Sequence, residues 1–289
     1  ENAQNHYSPI NKCEFKDYYK VSPQQRQIFI VSQLTKNTTA YNIPLCIKTK
    51  SSIEVKKMES AFENLLNRHR ILRSNYLLID NSPYQYINND ENKEFVYLSS
   101  ANEEDIATIF KTFVQPFNLE SDKLLRMQIV ETDEHNFYMM IDCHHIICDG
   151  LSLEILCNEL FNLYLGRKLE EIKVDYLDYC EWLSLSEYNN QKEFWINEFN
   201  GQIPVLDFPL DFRRPQKQSY NGDQIIISLD KKIIEKINLF CKKTSCTKFM
   251  IFLSSLIILL SKYSGQEDII VGSPISGRNH KDIEKAIGM

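Results

Sequence analysis

The sequence is poor in the residues that loosen or break a chain, with 8 glycines and 9 prolines among 289 residues. That scarcity excludes collagen-like and low-complexity classes. Positive charge is not in excess: 33 Lys and Arg stand against 39 Asp and Glu, giving a net charge of −6. A nucleic-acid binder held mainly by a basic surface is thereby excluded. No CxxC pair occurs among the eight cysteines, Cys13, Cys46, Cys143, Cys148, Cys157, Cys180, Cys241 and Cys246. Cys143 and Cys148 bracket two histidines, but that spacing fits no zinc ribbon or finger, and no second ligand pair occurs elsewhere; no metal site is expected. Scattered cysteines in a chain of this size read as free thiols in a cytoplasmic protein. The longest apolar run, residues 249–260, is interrupted by Ser254 and Ser255 and is too short to span a bilayer. The first ten residues are polar, without the apolar stretch of a signal peptide, so no membrane partner is expected. There is no P-loop, GxGxxG or GxSxG pattern.

What is present is globular in proportion: 43% hydrophobic, 25% charged and 11% aromatic residues, in a length suited to two domains or one large one. Ser22, Pro23 and Gln25 form a helix start, with a serine N-cap, proline in the first turn and a glutamine able to reach back as a capping box. The spacing predicts further helices over 53–69, 103–113 and 151–165, the last closed by Gly166. Strands are expected over 76–79 and 84–87, joined by a turn at 80–83, and over 124–130 and 137–143. The second half alternates likewise, with helices at 176–182, 191–199, 231–243 and 247–262 and strands at 224–229 and 268–271. This order implies α/β layers.

The strand at 137–143 runs straight into His144, His145, three spacers, Asp149 and Gly150, and then a helix. Residues at strand ends are held rigidly by the scaffold, and histidine is the side chain best matched to proton transfer near neutral pH. Asp149 either caps the following helix or fixes the loop through a cation. Gly150 lets the backbone turn and approach other groups closely.

The run from His144 to Gly150 resembles HHxxxDG, the pattern shared by chloramphenicol acetyltransferase, dihydrolipoyl acyltransferases and the condensation domains of nonribosomal peptide synthetases. Four further segments, in order, resemble condensation-domain motifs. Ser22-Pro23-Gln24-Gln25-Arg26 is similar to SxxQxR. Residues 68–73 (Arg68, His69, Arg70, Ile71, Leu72, Arg73) are similar to RHExLR, with Arg70 where Glu is usual. Residues 176–182 are similar to YxDFxxW, and residues 264–278, ending at Arg278, resemble a stretch that closes in GxPxxGR.

The resemblance implies a chloramphenicol acetyltransferase-like α/β fold of two lobes: a complete N-terminal lobe over 1–175 and the first part of a C-terminal lobe over 176–289. It implies formation of an amide (peptide) bond between a donor acyl or peptidyl thioester and an acceptor aminoacyl thioester. The domain is expected to need no cofactor of its own; the phosphopantetheine arms belong to donor and acceptor peptidyl carrier domains, with an adenylation domain as neighbour. His145 is the implied catalytic residue. His144, Asp149, Gly150, Arg68 and Arg73 are implied to build the active-site loop, Asp149 pairing with an arginine of the second motif, Arg68 first and Arg73 second. Ser152 is a substrate-contact candidate, and Arg278 either faces the cleft or closes a loop. Residues 41–44 and the sequence through Arg73 resemble domains that take an L-configured donor.

Two other readings share these residues. A stand-alone acyl-CoA-dependent acyltransferase carries a similar histidine motif but ends after one lobe. A silent carrier-binding platform usually lacks the second histidine, which is present here. Because the family continues beyond the point corresponding to Met289, the sequence reads as C-terminally truncated, with poor activity expected from these residues alone.

Overall fold

The computed structural model describes residues 8–35, 37–90, 94–186, 189–216, 222–278 and 280–289. Packing divides the chain into two units, Glu1–Glu187 with Ser276–Met289, and Tyr188–Ile275.

The first unit is built on a four-stranded sheet in the order β2-β7-β6-β5, with β2 (Asn42–Thr49), β5 (Phe95–Ala101), β6 (Leu125–Thr132) and β7 (Phe137–His144). All pairs are antiparallel except β5 with β6. Every residue of β7 is buried, because both faces of this central strand are covered. Met139, Ile141 and Cys143 join the main core with Met58, Phe62 and Leu65 of α2 (Val55–Arg68) and Leu156 and Leu160 of α4 (Gly150–Tyr164). On the opposite face Tyr138 and Met140 pack with Ile106, Ile109, Phe110 and Phe113 of α3 (Ile106–Phe113). The alternation follows from the two-residue period of a strand. The stripe Met58, Ala61, Phe62 and Leu65 follows from the helical one.

A smaller sheet, β1-β4-β3, lies alongside, with β1 (Tyr19–Lys20), β3 (Ser74–Ile79) and β4 (Ser82–Ile87). The hairpin is tighter than the sequence suggests. Asp80 and Asn81 both take positive φ and form the two-residue turn, so Pro83 falls inside β4, opposite Leu78. Strand β2 carries Pro44, which fits because β2 is an edge strand, where a missing N–H is tolerated.

Helix ends follow their local chemistry. In α1 (Pro23–Leu34), Ser22 accepts from Gln25 N while the Gln25 side chain accepts from Ser22 N. Helix α4 ends in a Schellman arrangement, with Gly166 at φ +70°, its N–H on Leu163 O and Arg167 N–H on Asn162 O.

The expected lobe boundary precedes Tyr176, whereas by packing α5 (Tyr176–Ser184) belongs with the first unit: Tyr176, Leu177 and Cys180 are buried in its core. Arg70 fastens it there. Its guanidinium donates to both oxygens of Asp175, at 2.5 and 2.8 Å, and to Asp178 at 2.7 Å. Asp175 also caps α5, and Asp178 takes hydrogen bonds from the Cys13 N–H and thiol. Burial and then Asp178 push the Cys13 thiol up to about 11, so it stays protonated.

The second unit contains α6 (Asn189–Glu198), α7 (Lys231–Thr244) and α8 (Lys248–Ser264), as the spacing predicts. The strands expected at 224–229 and 268–271 do not form. A strand is defined by its ladder, and no described residue of this unit supplies a partner. No single helix among the described residues is long and apolar enough to cross a membrane.

Asp178 is 1% exposed, so Arg70→Ala strands a buried carboxylate and is expected to lower unfolding stability by about 3 kcal/mol. A urea melt checks this; a loss under about 1 kcal/mol, the scale of a surface pair, would show that the triad does not hold α5.

Candidate active site

The site is the turn that joins β7 to α4, and its backbone is held at several independent points. His145 N–H donates to Tyr41 O at 2.8 Å. The Ile146 carbonyl accepts from Gln25 Nε2 at 3.2 Å and Tyr76 OH at 3.3 Å. Ile146, Ile147 and Cys148 are fully buried and anchor the turn in the core. Asp149 caps α4, accepting from Ser152 N at 2.6 Å. Gln25 thus does more than cap its own helix: its oxygen closes the capping box while its amide nitrogen holds the turn.

The two histidines have different surroundings. His144 is buried, and its Nδ1 accepts from Ile146 N at 3.2 Å. That bond requires a lone pair on Nδ1 and therefore the tautomer with hydrogen on Nε2. Burial, with a smaller contribution from His145, pushes its pKa down to about 3. Phe117 meets the ring edge-on at 5.9 Å. His144 is a neutral structural residue. His145 is only partly buried, and its Nδ1 lies inside the protein with no hydrogen-bond partner among the described residues. Its backbone is pinned while its ring is left available.

Asp149 does not pair with an arginine of the second motif. Arg68 is taken by Glu159 of α4 at 2.8 Å, and His69 reaches the same oxygen at 2.7 Å. Burial pushes the Glu159 carboxyl up, but hydrogen bonds from His69 and Arg68 outweigh that and hold it below the usual range. Arg73 donates to Leu66 O and to the Asn89 side chain, on another part of the surface. The partner of Asp149 is Arg278, 3.0 Å away and 129 residues on in sequence.

Arg278 belongs to a return segment, residues 276–289, that closes over the turn. Its Nη2 donates to Asp149 and, at 2.6 Å, to Ser152 Oγ; its Nη1 bonds the carbonyls of Ile283 and Ala286. Ser152 is completely buried, accepts from Gly288 N at 2.9 Å and donates to Gly288 O at 2.5 Å. Asp149 N–H donates to the same carbonyl at 3.0 Å. Ser152 is therefore part of the brace, not a substrate contact. A Cβ on Gly288 would lie 2.0 Å from the Tyr176 ring, so glycine is required there. Gly150, by contrast, needs neither positive φ nor a close approach; a methyl group on it meets no atom within 4 Å. A polar cavity of about 340 Å³ opens beside His144, lined in part by Tyr41, Phe117, Asn118, Glu120 and Asp122.

A histidine-bearing turn between a central strand and a capped helix holds an imidazole rigidly where it can take or give a proton. The sequence matches the family model described as Condensation domain over residues 15–289, and the chain belongs to that family. It is 40% identical over 286 residues to bacitracin synthase 2 of Bacillus licheniformis, covering 98% of this chain and 11% of that protein. It is 37% identical over 284 residues to surfactin synthase subunit 2 of Bacillus subtilis (strain 168), covering 98% of this chain and 8% of that protein. The chain thus spans a small part of these curated relatives. In fold it is similar to the X-domain from teicoplanin biosynthesis, with TM-score 0.84, 19% identity, and coverage of 97% of this chain and 65% of that one. A four-domain nonribosomal peptide synthetase bound to AMP and glycine gives TM-score 0.83 at 20% identity, covering 99% of this chain and 22% of that one.

The return brace eluded sequence reasoning because nothing in the spacing joins Arg278 to Asp149; its one signal was the position of Arg278 at the end of the last motif. Two outcomes are expected. In a histidine-resolved NMR titration, His144 stays neutral and its signal does not move between pH 5 and 8; a midpoint in that range would contradict its placement. Arg278→Ala removes a charged partner from Asp149 and Ser152 and is expected to cost about 2–4 kcal/mol in a denaturant melt, with Arg278→Lys restoring little because one ammonium cannot reproduce the fork.

Proposed function

We propose that this chain forms amide (peptide) bonds in nonribosomal peptide synthesis. The donor acyl or peptidyl thioester and the acceptor aminoacyl thioester are both substrates borne on phosphopantetheine arms of carrier domains. The observation that carries this reading is His145: a partly exposed imidazole on a turn whose backbone is pinned on both sides. Its Nδ1 faces inward, which leaves Nε2 to meet a substrate.

The chemistry follows from ordinary acid–base behaviour. A free α-amino group has a pKa of about 7.7–8.0, so much of it is already neutral near pH 8. Its lone pair attacks the thioester carbonyl carbon, and the C–N bond forms while the carbonyl electrons move onto oxygen. The nitrogen is now positive and must lose a proton. His145 accepts it at Nε2, the tetrahedral adduct collapses, the C–S bond breaks, and the thiolate takes that proton from the imidazole. Before that step, a hydrogen bond from the amine to His145 orients the nucleophile.

The same reading places donor and acceptor peptidyl carrier domains and an adenylation domain beside this chain, in a cytoplasmic assembly. It keeps the lobes at 1–175 and 176–289, an L-configured donor, and a peptide antibiotic as product, in line with the names of the relatives. The experiment is His145→Ala in the intact synthetase with both carriers loaded. Amide formation is expected to fall about 10²–10⁴-fold with carrier binding retained. Near-normal product would remove His145 from the chemistry, and acylation by acetyl-CoA without a carrier would favour the stand-alone acyltransferase.

A further inference from the structure

Asp142 lies two residues before His144 on the same face of β7 and is completely buried. Its Oδ2 accepts from Asn42 Nδ2 at 2.8 Å. The other oxygens of this pair, Asp142 Oδ1 and Asn42 Oδ1, are both buried and both lack a hydrogen-bond partner among the described residues. Turning the Asn42 amide over does not relieve this, because its nitrogen also donates to Gln115 O at 2.9 Å. Two orphaned acceptors thus sit on a carboxyl–carboxamide pair already joined at its other edge. An ionised carboxylate can only accept, whereas a protonated one has an O–H to donate.

The surroundings bear on which form is held. Arg126 stands directly opposite on β6, yet its Nη1 stays 3.7 Å from Asp142. Instead the guanidinium donates to the carbonyls of Gln115 and Pro116 and stacks on Phe117 at 3.8 Å; Asp122 approaches it from another side at 3.7 Å. Along β7 the adjacent Cys143, on the other face, is held protonated by Cys148 and burial, and His144, on the same face, is neutral. The edge strand β2 supplies Asn42, and the segment after α3 supplies the Gln115 backbone N–H and carbonyl and an aromatic ring, none of them charged. Among the described residues no cation is hydrogen-bonded to the carboxyl, Arg126 standing at 3.7 Å.

We propose that Asp142 carries a proton on Oδ1, donated toward Asn42 Oδ1, and that the resulting acid–amide ring makes Asp142 a positioning residue for His145. The connection is short. Asn42 pairs in register with His144, and the residue before it, Tyr41, supplies the carbonyl that holds His145 N–H. Locking Asn42 fixes that carbonyl. Burial pushes the Asp142 carboxyl up to about 6, against the opposing pull of the Asn42 hydrogen bond, of Arg126 and of the Gln115 backbone N–H. Because the folded value lies above the unfolded one, the stabilising proton is fully held below about pH 4. It is lost as pH rises through about 6.

The role in positioning rests on the proposed function of His145; the proton does not. The test therefore has two arms on the full chain and the enzyme that contains it, using Asp142→Asn, which carries a permanent donor in the same shape, and Asp142→Leu. Infrared difference spectra between wild type and Asp142→Asn are expected to show one carboxylic-acid carbonyl band at pH 5 that fades through about pH 6–7. No such band down to pH 5 overturns the proton, whether or not the chain makes amides. In carrier-loaded coupling at about pH 6, where the wild-type carboxyl still holds much of its proton, Asp142→Asn keeps kcat and Asp142→Leu loses roughly tenfold in kcat with KM little changed, the scale of one hydrogen bond. The ratio of wild-type to Asp142→Asn rate falls as pH rises. Equal kcat for Asp142→Leu and wild type, or a flat ratio, overturns the positioning role.

Discussion

One buried hydroxyl, that of Ser152, joins the start of α4 to the segment that returns over it. It sits in the first turn of α4, accepts from Arg278 and Gly288 and donates back to Gly288. Asp149 shares both partners. The start of α4 and the return segment are therefore one hydrogen-bonded object, and the turn bearing His145 is strung between it and the end of β7. Removing the hydroxyl leaves buried donors and an acceptor unmade, which is more costly than the loss of one average hydrogen bond. The requirement for glycine at 288 comes from the same closeness, since Tyr176 occupies the place of a Cβ.

Charge is disposed so that few buried groups lack an opposite. The arginines at the end of α2 and just after it are separated by function: Arg68 goes with His69 to Glu159, tying α2 to α4, and Arg70 goes to Asp175 and Asp178, tying α5 to the core. Where the usual second motif carries glutamate, this chain carries Arg70 opposite two aspartates. Asp142 stands apart, since its cation is near but not bonded.

Local chemistry was legible in the sequence wherever it is complete within a few residues. Ser22 with Gln25 announced α1, Gly166 closed α4, and the period-two run into His144 announced the strand that delivers the histidines. What the residues could not reveal is pairing across long separations. Nothing local distinguishes Arg278 from Arg68 as the partner of Asp149; the choice is made by the return of residues 276–289 across the turn. The strands expected near 224 and 268 show that a suitable pattern without a neighbouring ladder stays irregular. Ser152 resembled a substrate contact because its burial depends on Gly288, which is 136 residues away.

The bonds shared by Ser152, Asp149, Arg278 and Gly288 couple the return segment to the histidine turn, so the two are expected to open together. Site-resolved hydrogen exchange in wild type and Ser152→Ala tests it most directly, reading the amides of His145, Asp149 and Gly288. Loss of the hydroxyl is expected to speed exchange at all three by a common factor, because they share one opening. Faster exchange at Gly288 alone, with His145 and Asp149 unchanged, would contradict the claim.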